Sequence, residues 1–394
     1  MRVALVGTGG IARAHVTALS QLHDRADPPV EVVAGCDVDA HRVEAFTAEH
    51  DIPTGSTDLA EMLEQVRPEV VHVCTPPGLH ADQAIACLRA GAHVVCEKPP
   101  VLTLAELDAV QAAERATGRW YTTIFQHRFG SAGRHVRDLI GRGALGAPRI
   151  AICHTLWFRP DAYYEVPWRG NWDVEGGGPT LGHGVHQIDL LAHLLGDWTE
   201  VTATATRLAR HILTEDVSMA HVAFDSGALG SVVTSVLSPR EESYLRFDFD
   251  DATVEVSHLY GYTDADWTIT PATHVDDAAA SDWALPGPDL RSGHLAQLEL
   301  VYPALAAGER PPGDSDSARR TMELVTGIYA SAFTDVPVRR DDIADTGHPF
   351  HSSLTGGVAA PVPGRSGPLH QAPLHQAPLH QGAARTGDAD GGPG

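Results

Sequence analysis

The chain has 394 residues, 43% of them hydrophobic and 20% charged, a composition that supports two globular domains with a large apolar core. Its formal net charge of -23 argues against nucleic acid or an anionic membrane surface as a partner, because no surplus of basic side chains is available to bind phosphate groups. No apolar run approaches the roughly 20 residues of a membrane-spanning helix.

Cysteine usage and the start of the chain both indicate a cytoplasmic protein. The cysteines are odd in number and lack CxxC spacing, so buried reduced thiols are expected at Cys36, Cys74, Cys87, Cys96 and Cys153. A strand pattern begins at Arg2, which leaves no room for a signal peptide before it.

The first strand, Val3 to Val6, runs directly into Gly7-Thr8-Gly9-Gly10-Ile11-Ala12 and then into a helix. This GxGxx(G/A) spacing between a strand and a helix is typical of turns that bind dinucleotides. Gly7 allows the tight turn, Gly9 lets the backbone approach a pyrophosphate, and the helix N-terminus offers free N–H groups to an anion. The alternative is a glycine-rich turn without a ligand, and the next strand weakens that alternative.

The second strand, Val30 to Cys36, ends at Asp37. An acidic side chain at this position binds both hydroxyls of an adenosine ribose and repels a 2′-phosphate, so NAD is favoured over NADP. Arg42 lies close behind and could soften that preference, which leaves NADP as an alternative. Asp37 can also act as the N-cap of the helix that begins near Ala40, and the two roles are compatible.

Strands and helices alternate up to about residue 125. Helices are predicted over 59–66, 81–90 and 104–117, and strands over 70–74, 93–96 and 120–125. The strands are continuously apolar, which predicts a parallel sheet covered by helices on both faces. Residues 1–125 are therefore expected to form an α/β domain that binds a dinucleotide.

Within that domain, one strand stops abruptly at Glu97-Lys98-Pro99-Pro100. Proline cannot donate to a sheet ladder and restrains the residue before it, so the strand must end there. Ligands of open α/β sheets sit at the carboxyl ends of the strands. Lys98 is therefore placed to work on a bound molecule, although an ordinary surface ion pair with Glu97 is the alternative.

Beyond residue 125 the pattern changes. After a β-run over 149–158 and a helix over 181–195, strands without intervening helices are predicted over 201–208, 217–224, 230–237, 244–249 and 252–256. This predicts an α+β domain over 126–345 with a large, mostly antiparallel sheet. Of two late helices, 295–305 and 318–333, one is expected to pack back on the first domain. Residues 352–394 repeat Pro-Leu-His-Gln three times and are predicted to be a disordered, low-complexity tail.

The motifs, taken together, resemble the Gfo/Idh/MocA oxidoreductases, which include glucose-fructose oxidoreductase and inositol dehydrogenase. The resemblance covers roughly residues 1–340. It rests on shared motifs at the first glycine turn, Cys74-Thr75-Pro76, His80, Glu97-Lys98-Pro99, Gly176-Gly177-Gly178 and Gly184-Val185-His186.

The resemblance implies an NAD(P)-dependent dehydrogenase acting on CH–OH groups, with a Rossmann domain for the cofactor and a substrate over the second sheet. It implies that Lys98 hydrogen-bonds the reacting hydroxyl and that His186 handles the proton. The residues expected to bind the cofactor are Gly7, Thr8, Gly9, Gly10, Ile11, Asp37, Arg42, Thr75, Pro76, His80, Glu97 and Lys98. No metal is expected.

An aromatic loop over 163–172 is the candidate for shaping the substrate pocket. Its Tyr163, Trp168, Arg169 and Asn171 combine ring faces that stack on sugars with hydrogen-bonding groups. The alternative is that these side chains fill the seam between domains or a subunit contact.

One position departs from the family pattern. The resembling enzymes carry an aspartate four residues before the histidine, and this chain has Gly182 there. His183 is one candidate to take its place or to face the substrate. Asp189, three residues after His186, is another candidate to orient the histidine ring. The sequence does not choose between them.

The leading functional prediction is a dehydrogenase that moves a hydride between a nicotinamide and a hydroxyl or keto carbon of a sugar, inositol or related polyol. The missing aspartate keeps a second prediction open, an NAD-dependent glycosidase that uses transient internal oxidation. A third is a non-catalytic sugar or NAD sensor, which the retained Lys98 and His186 disfavour. An open sheet face favours a homodimer or homotetramer.

Overall fold

The computed structural model describes residues 1–23, 25–285 and 287–358, which fold around two β-sheets. The first sheet consists of β1 (Arg2–Val6), β2 (Glu31–Cys36), β3 (Thr54–Ser56), β4 (Val70–Val73), β5 (His93–Cys96) and β6 (Tyr121–Thr123). All neighbouring strands are parallel, in the order β3-β2-β1-β4-β5-β6, so the predicted parallel sheet is confirmed. Strand β3 is an addition, because three weakly apolar residues give no strand pattern.

The helices of this part of the chain are α1 (Gly10–His23), α2 (Ala40–Glu49), α3 (Leu59–Val66), α4 (His80–Arg89) and α5 (Leu104–Thr117). Strands β4 and β5 are buried along their whole length because helices cover both faces of the sheet, which explains their continuous apolar runs. The N-cap of α2 is Asp39, whose side chain accepts from two backbone N–H groups of the first turn. The alternative cap role of Asp37 is therefore wrong.

The second sheet consists of β7 (Pro148–Phe158), β8 (Trp198–Thr206), β9 (Val217–Phe224), β10 (Leu229–Ser235), β11 (Leu237–Phe249), β12 (Ala252–Ser257), β13 (Trp267–Pro271) and β14 (Val338–Arg339). Their order is β13-β12-β11-β7-β10-β9-β8-β14, and every neighbouring pair is antiparallel except β7 and β10. The predicted mostly antiparallel sheet is confirmed.

The remaining helices are α6 (Ser131–Gly141), α7 (Pro179–Gly182), α8 (Val185–Leu195), α9 (Asp277–Ser281), α10 (His294–Ala306), α11 (Ser315–Thr334) and α12 (Arg340–Ala344). Helix α8 packs on β7 and β11, and α11 packs on β8. The opposite face of the sheet leaves Ile150, Met219 and Leu229 exposed. A homodimer or homotetramer built on this face stays a prediction.

The helix predicted over 181–195 is broken in two. Gly184, between α7 and α8, approaches β10 so closely that a Cβ there would lie 2.6 Å from Thr234 Cγ2. The Gly184 N–H donates to the carbonyl of Pro179, five residues back, instead of continuing a regular α-helical ladder. The break separates His183, at the end of α7, from His186, in the first turn of α8.

Helix α10 completes the first domain although it lies far along the chain. It packs against α1, and its Leu298, Val301 and Tyr302 share an apolar cluster with Val3 and Leu5 of β1. The expectation that a late helix returns to the first domain is confirmed.

The five cysteines are free and buried. Residues 359–394, most of the predicted tail, lie outside the described residues. Leu354, at the start of that predicted tail, is buried in the apolar cluster around the second sheet, so packed structure extends at least to this residue. Among residues 1–23, 25–285 and 287–358, no helix combines the length and apolar character that crossing a membrane requires.

Candidate active site at the edge of the first sheet

The glycine-rich turn joins the end of β1 to the start of α1. Gly7 has φ +85°, and a Cβ there would come within 2.8 Å of the Cys74 backbone, so only glycine fits beside the end of β4. At Gly9 and Gly10 a Cβ would have no atom within 4 Å. The backbone therefore faces open space at the start of α1, as a dinucleotide pyrophosphate at that helix end requires.

Asp37 follows β2 and faces the same turn. Its Oδ2 accepts hydrogen bonds from the Thr8 N–H at 2.9 Å and the Thr8 hydroxyl at 3.1 Å, and Arg42 Nη1 lies 3.6 Å away. Burial alone would raise the pKa of Asp37, but the hydrogen bonds from Thr8 and Asp39 and the charge of Arg42 hold it below its ordinary value. An ionised carboxylate at this edge suits the ribose hydroxyls of NAD.

The loop after β4 contains Thr75 and Pro76 and is held by His80. The Thr75 hydroxyl donates to Gln83 at 2.6 Å. His80 is buried, and its two ring nitrogens lie 2.8 Å from the carbonyl oxygens of Thr75 and Pro99. Each ring nitrogen thus lies against a backbone carbonyl, and the neutral ring favoured by burial donates to one of the two. His80 therefore packs between the two loops and does not present a ring nitrogen to the cofactor side.

Glu97 is likewise buried below the edge. Its Oε1 accepts from Nε2 of His15 and of His294, both at 2.8 Å, and its Oε2 accepts from the Lys98 N–H at 3.2 Å. Burial opposes its charge, but the two histidines hold the pKa of Glu97 well below its ordinary value. Glu97 therefore anchors the loop that carries Lys98, and a direct contact of its carboxylate with the cofactor is not supported.

The hydrogen bonds continue beyond His15. His15 Nδ1 lies 2.6 Å from His72 Nδ1, and His72 Nε2 lies 2.9 Å from the Tyr302 hydroxyl. With Glu97 ionised, the chain is satisfied when Tyr302 donates to His72, His72 to His15 and His15 to Glu97. The ligand atoms of His15, Glu97 and His294 also lie within 4.8 Å of one another, close enough for a metal ion. Both nitrogens of His15 are nevertheless already engaged.

Lys98, at the carboxyl end of β5, reaches across to the second domain. Its Nζ lies 3.5 Å from the carbonyl oxygen of Gly182, at the end of α7. Burial lowers the pKa of the amine, and Arg169 and Arg159 add to that effect against Glu97 and Glu175. Lys98 is also the only lysine in the chain, a signal of special function that motif reasoning overlooked.

His186 packs against the rings of His127 and Tyr260, which the sequence motifs did not identify. Its ring centroid is 4.9 Å from that of His127 and 5.4 Å from that of Tyr260, and its Nε2 lies 3.3 Å from the Tyr260 hydroxyl. Burial, reinforced by the charge of Lys98, places the pKa of His186 well below its ordinary value, so the ring is neutral at neutral pH. No signal at the level of single motifs points to His127 or Tyr260.

Asp189 does not orient His186, so that alternative is wrong. Its carboxylate forms a buried, bidentate pair with Arg128 and accepts from the Thr321 hydroxyl at 2.8 Å. Arg128 also donates to the Ser317 hydroxyl. This cluster joins α8 to α11 and to the segment that follows β6, which makes it structural.

The side chains of the aromatic loop, residues 163–172, lie in two different environments. The Tyr163 hydroxyl lies 3.3 Å from His183 Nε2, and the Arg169 guanidinium covers the rings of Tyr163 and Trp168 at 3.7 and 4.4 Å. Asn171 instead accepts from the Asp173 N–H within its own turn. Tyr163, Trp168, Arg169 and His183 therefore form one wall beside Lys98, whereas the Asn171 side-chain oxygen supports the loop.

Several buried polar atoms of this region have no hydrogen-bond partner among residues 1–23, 25–285 and 287–358. Of eleven such side-chain atoms, five belong to Gln126, His127, His183 and His186. Buried polar atoms are normally satisfied, so a concentration of unpartnered ones marks a place where a polar ligand binds. Together with the open glycine turn, these atoms fit a nicotinamide cofactor and a polar substrate.

Two family models match the chain. The GFO/IDH/MocA model, described as an oxidoreductase family with an NAD-binding Rossmann fold, matches residues 1–125, and the GFO/IDH/MocA C-terminal domain matches residues 134–258. Together the two matches cover more than half of the chain.

Individual relatives extend over most of the chain. D-glucoside 3-dehydrogenase of Escherichia coli K12 is 26% identical over 362 residues, which cover 86% of this chain and 97% of that protein. D-xylose 1-dehydrogenase (NADP(+)) 2 of Haloferax volcanii is 27% identical over 350 residues, with 86% and 100% covered. The crystal structure of the WlbA dehydrogenase of Bordetella pertussis in complex with NADH and UDP-GlcNAcA has a TM-score of 0.77 and 27% identity, with 86% and 97% covered.

Proposed function

Because the chain belongs to the GFO/IDH/MocA oxidoreductase family, we propose that it oxidises one hydroxyl of a sugar or related polyol to a carbonyl group, with NAD as hydride acceptor. The observation that carries the proposal is the approach of Lys98 Nζ to the end of α7, 3.5 Å from Gly182, beside the unpartnered ring nitrogens of His183 and His186. A cation and neutral imidazoles there suit a hydroxyl that loses a proton.

The glycine turn and Asp37 hold the cofactor in this proposal. Gly9 and Gly10 present backbone N–H groups to the pyrophosphate, and the Asp37 carboxylate accepts from the ribose hydroxyls. Bound there, NAD supplies a nicotinamide ring that takes up the hydride.

Lys98 holds the oxygen of the reacting hydroxyl. A charged amine donates to this oxygen and stabilises the negative charge that develops as the O–H bond breaks. His186 accepts a hydrogen bond from the hydroxyl at its unpartnered Nδ1 and takes up the proton as the O–H bond breaks. The half-buried side chains of Tyr163 and Trp168, with the Arg169 guanidinium over their rings, line the side of the site proposed for the sugar.

The substrate class draws its support from the relatives. Those named above are dehydrogenases of a glucoside and of xylose, and the WlbA structure contains a nucleotide sugar acid. Inositols remain in the proposal on the resemblance alone.

The proposal is tested by the absorbance of NADH with a panel of inositols, hexoses, uronates and amino sugars, each with NAD and with NADP. NADH formed with one class, and lost in Lys98→Ala and His186→Ala, is the expected result. No turnover with any panel member, although NAD binding is measured by thermal shift, would contradict it. Release of free sugar from a glycoside without NADH would instead identify transient internal oxidation, which the glycine at 182 keeps open.

We expect Asp37→Asn to raise the preference for NADP over NAD, measured as the ratio of the two kcat/KM values, by about tenfold. Asparagine keeps an oxygen for the Thr8 hydrogen bonds but removes the charge that repels a 2′-phosphate, and Arg42 lies 3.6 Å from that site. Asp39→Asn is the matched control, because Asp39 caps α2 two residues later, and it should leave the ratio within about twofold. An unchanged ratio in Asp37→Asn would remove Asp37 from coenzyme selection.

A further inference from the structure

A carboxylate from another part of the chain lies beside the position where the family aspartate is missing. A Cβ built on Gly182 would find one neighbouring atom within 4 Å outside its own helix, Oε1 of Glu175 at 3.8 Å. Glu175 belongs to the loop before the three glycines 176–178 and is only 6% exposed. Its carboxylate thus borders the volume that an aspartate at 182 would fill.

The Glu175 carboxylate accepts a hydrogen bond at one oxygen and is paired with Arg169 at the other. Its Oε2 accepts from the Gly170 N–H. Its Oε1 lies 3.7 Å from Arg169 Nη1, and among the described residues it accepts no hydrogen bond. Arg169 is itself fixed by the rings of Tyr163 and Trp168. The oxygen that accepts no hydrogen bond is therefore the one nearest Gly182.

Glu175 and Lys98 meet at Gly182 from two sides. Lys98 Nζ lies 3.5 Å from the Gly182 carbonyl oxygen, while Glu175 Oε1 lies 3.8 Å from the position that a Cβ on Gly182 would take. Burial lowers the pKa of Lys98, and the charge of Glu97 and, to a smaller extent, that of Glu175 oppose this effect. The positive charge of Lys98 in turn lowers the pKa of Glu175 against the effect of burial. The two side chains are therefore electrostatically coupled.

We propose that Glu175 supplies from this loop the carboxylate that position 182 lacks, and that it acts through Lys98 as a positioning residue that holds the Lys98 amine in its charged form. The proposal rests on the proposed function, because it concerns the amine that holds the reacting hydroxyl. It gives the site a second carboxylate near its lysine, besides that of Glu97, although the usual position carries glycine.

The same geometry predicts a pH dependence. Burial raises the pKa of Glu175 to about 7, against the hydrogen bond from Gly170 and the charges of Arg169 and Lys98. Glu175 is thus ionised above that pH and keeps Lys98 protonated to higher pH. The groups that face it are Arg169 and Tyr164 of the aromatic loop, Lys98 after β5 and Glu215 before β9.

Lys98, as the only lysine, allows a direct test that does not need turnover. Protein containing lysine labelled with carbon-13 at Cε gives one signal next to the amine, whose shift is followed by NMR from pH 5 to 11. In the wild type we expect the amine titration and a second inflection near pH 7 from Glu175. Glu175→Gln should remove that inflection, lower the Lys98 midpoint by about one pH unit and lower kcat about tenfold or more.

A charge returned at position 182 provides the rescue. Gly182 has negative φ and room for a Cβ, so Glu175→Gln/Gly182→Asp should restore the Lys98 midpoint and part of kcat. Glu175→Gln/Gly182→Asn, of the same size without the charge, should restore neither. Thermal melts of all variants exclude unfolding as the cause.

The outcomes separate this proposal from the proposed function. A Lys98 titration unchanged in Glu175→Gln overturns the assignment of Glu175, whatever the activity. A moved titration with kcat unchanged in an active enzyme overturns its role in the reaction. A moved titration in a wild type that oxidises no panel member leaves the coupling standing and overturns the proposed reaction instead.

Discussion

Lys98→Met is expected to lower kcat at least about 100-fold, because methionine has a similar length but cannot donate to the oxygen on which charge develops. Lys98 Nζ is the one lysine amine of the chain, and it lies between the end of β5 and the end of α7. The loss should appear in kcat more than in the affinity for NAD, since the glycine turn and Asp37 lie at the other end of the cofactor site. Steady-state kinetics and a separate NAD-binding titration measure the two effects.

Two variants sharpen this prediction. Lys98→Arg should also be nearly inactive, because a planar guanidinium does not reproduce the point charge of an amine in a buried site. Arg142→Met is the control: it removes an exposed cation that pairs with Asp138 on the surface, and it should leave kcat unchanged. A Lys98→Met enzyme with more than about a tenth of wild-type kcat would mean that Lys98 does not hold the reacting oxygen.

Asp189→Asn is expected to lower the free energy of unfolding by about 3 to 5 kcal/mol, because it leaves the Arg128 guanidinium buried without an anion. Arg128 is only 5% exposed, and the pair is bidentate. The same substitution disturbs the hydrogen bond from Thr321, so the attachment of α11 to α8 weakens as well. Urea denaturation followed by circular dichroism measures the change.

The matched variants distinguish an unpaired charge from a general loss of packing. Arg128→Met/Asp189→Leu replaces both charges by apolar groups and should recover most of the stability that Asp189→Asn loses. Asp138→Ala breaks an exposed pair and should cost less than about 1 kcal/mol. A loss of under about 1 kcal/mol in Asp189→Asn would show that this buried pair is not a major contributor to stability.

The sequence was sufficient for the features that depend on neighbouring residues. The glycine turn after β1, Asp37 after β2 and Lys98 after β5 were located because each follows directly from a strand that ends. The carboxyl ends of parallel strands meet at one edge, so these three positions had to come together. The change from buried, continuous strands to alternating ones likewise separated the parallel sheet from the antiparallel one.

The sequence alone did not predict what each side chain within those motifs contacts. His80 and Glu97 belong to the motifs, but their side chains point into the interior, where the His80 ring lies between two carbonyl groups and Glu97 accepts from two histidines. A motif indicates that a residue lies near a ligand site. It does not show whether the side chain contacts the ligand or supports the loop that does. Burial decides between the two, and burial is set by the packing of the whole domain.

Only the tertiary structure determined the contacts between residues that are far apart in the chain. His294 donates to Glu97 because α10 packs against α1. Asp189 pairs with Arg128 and does not contact His186, because α8 and α11 pack together around that pair. Glu175 borders Gly182 because three glycines allow the chain to fold back against Glu215 and Tyr329. Local patterns fix strands, turns and their ends through interactions between neighbours, whereas the carboxylate that faces Lys98 is determined by how the loops pack once both sheets have formed.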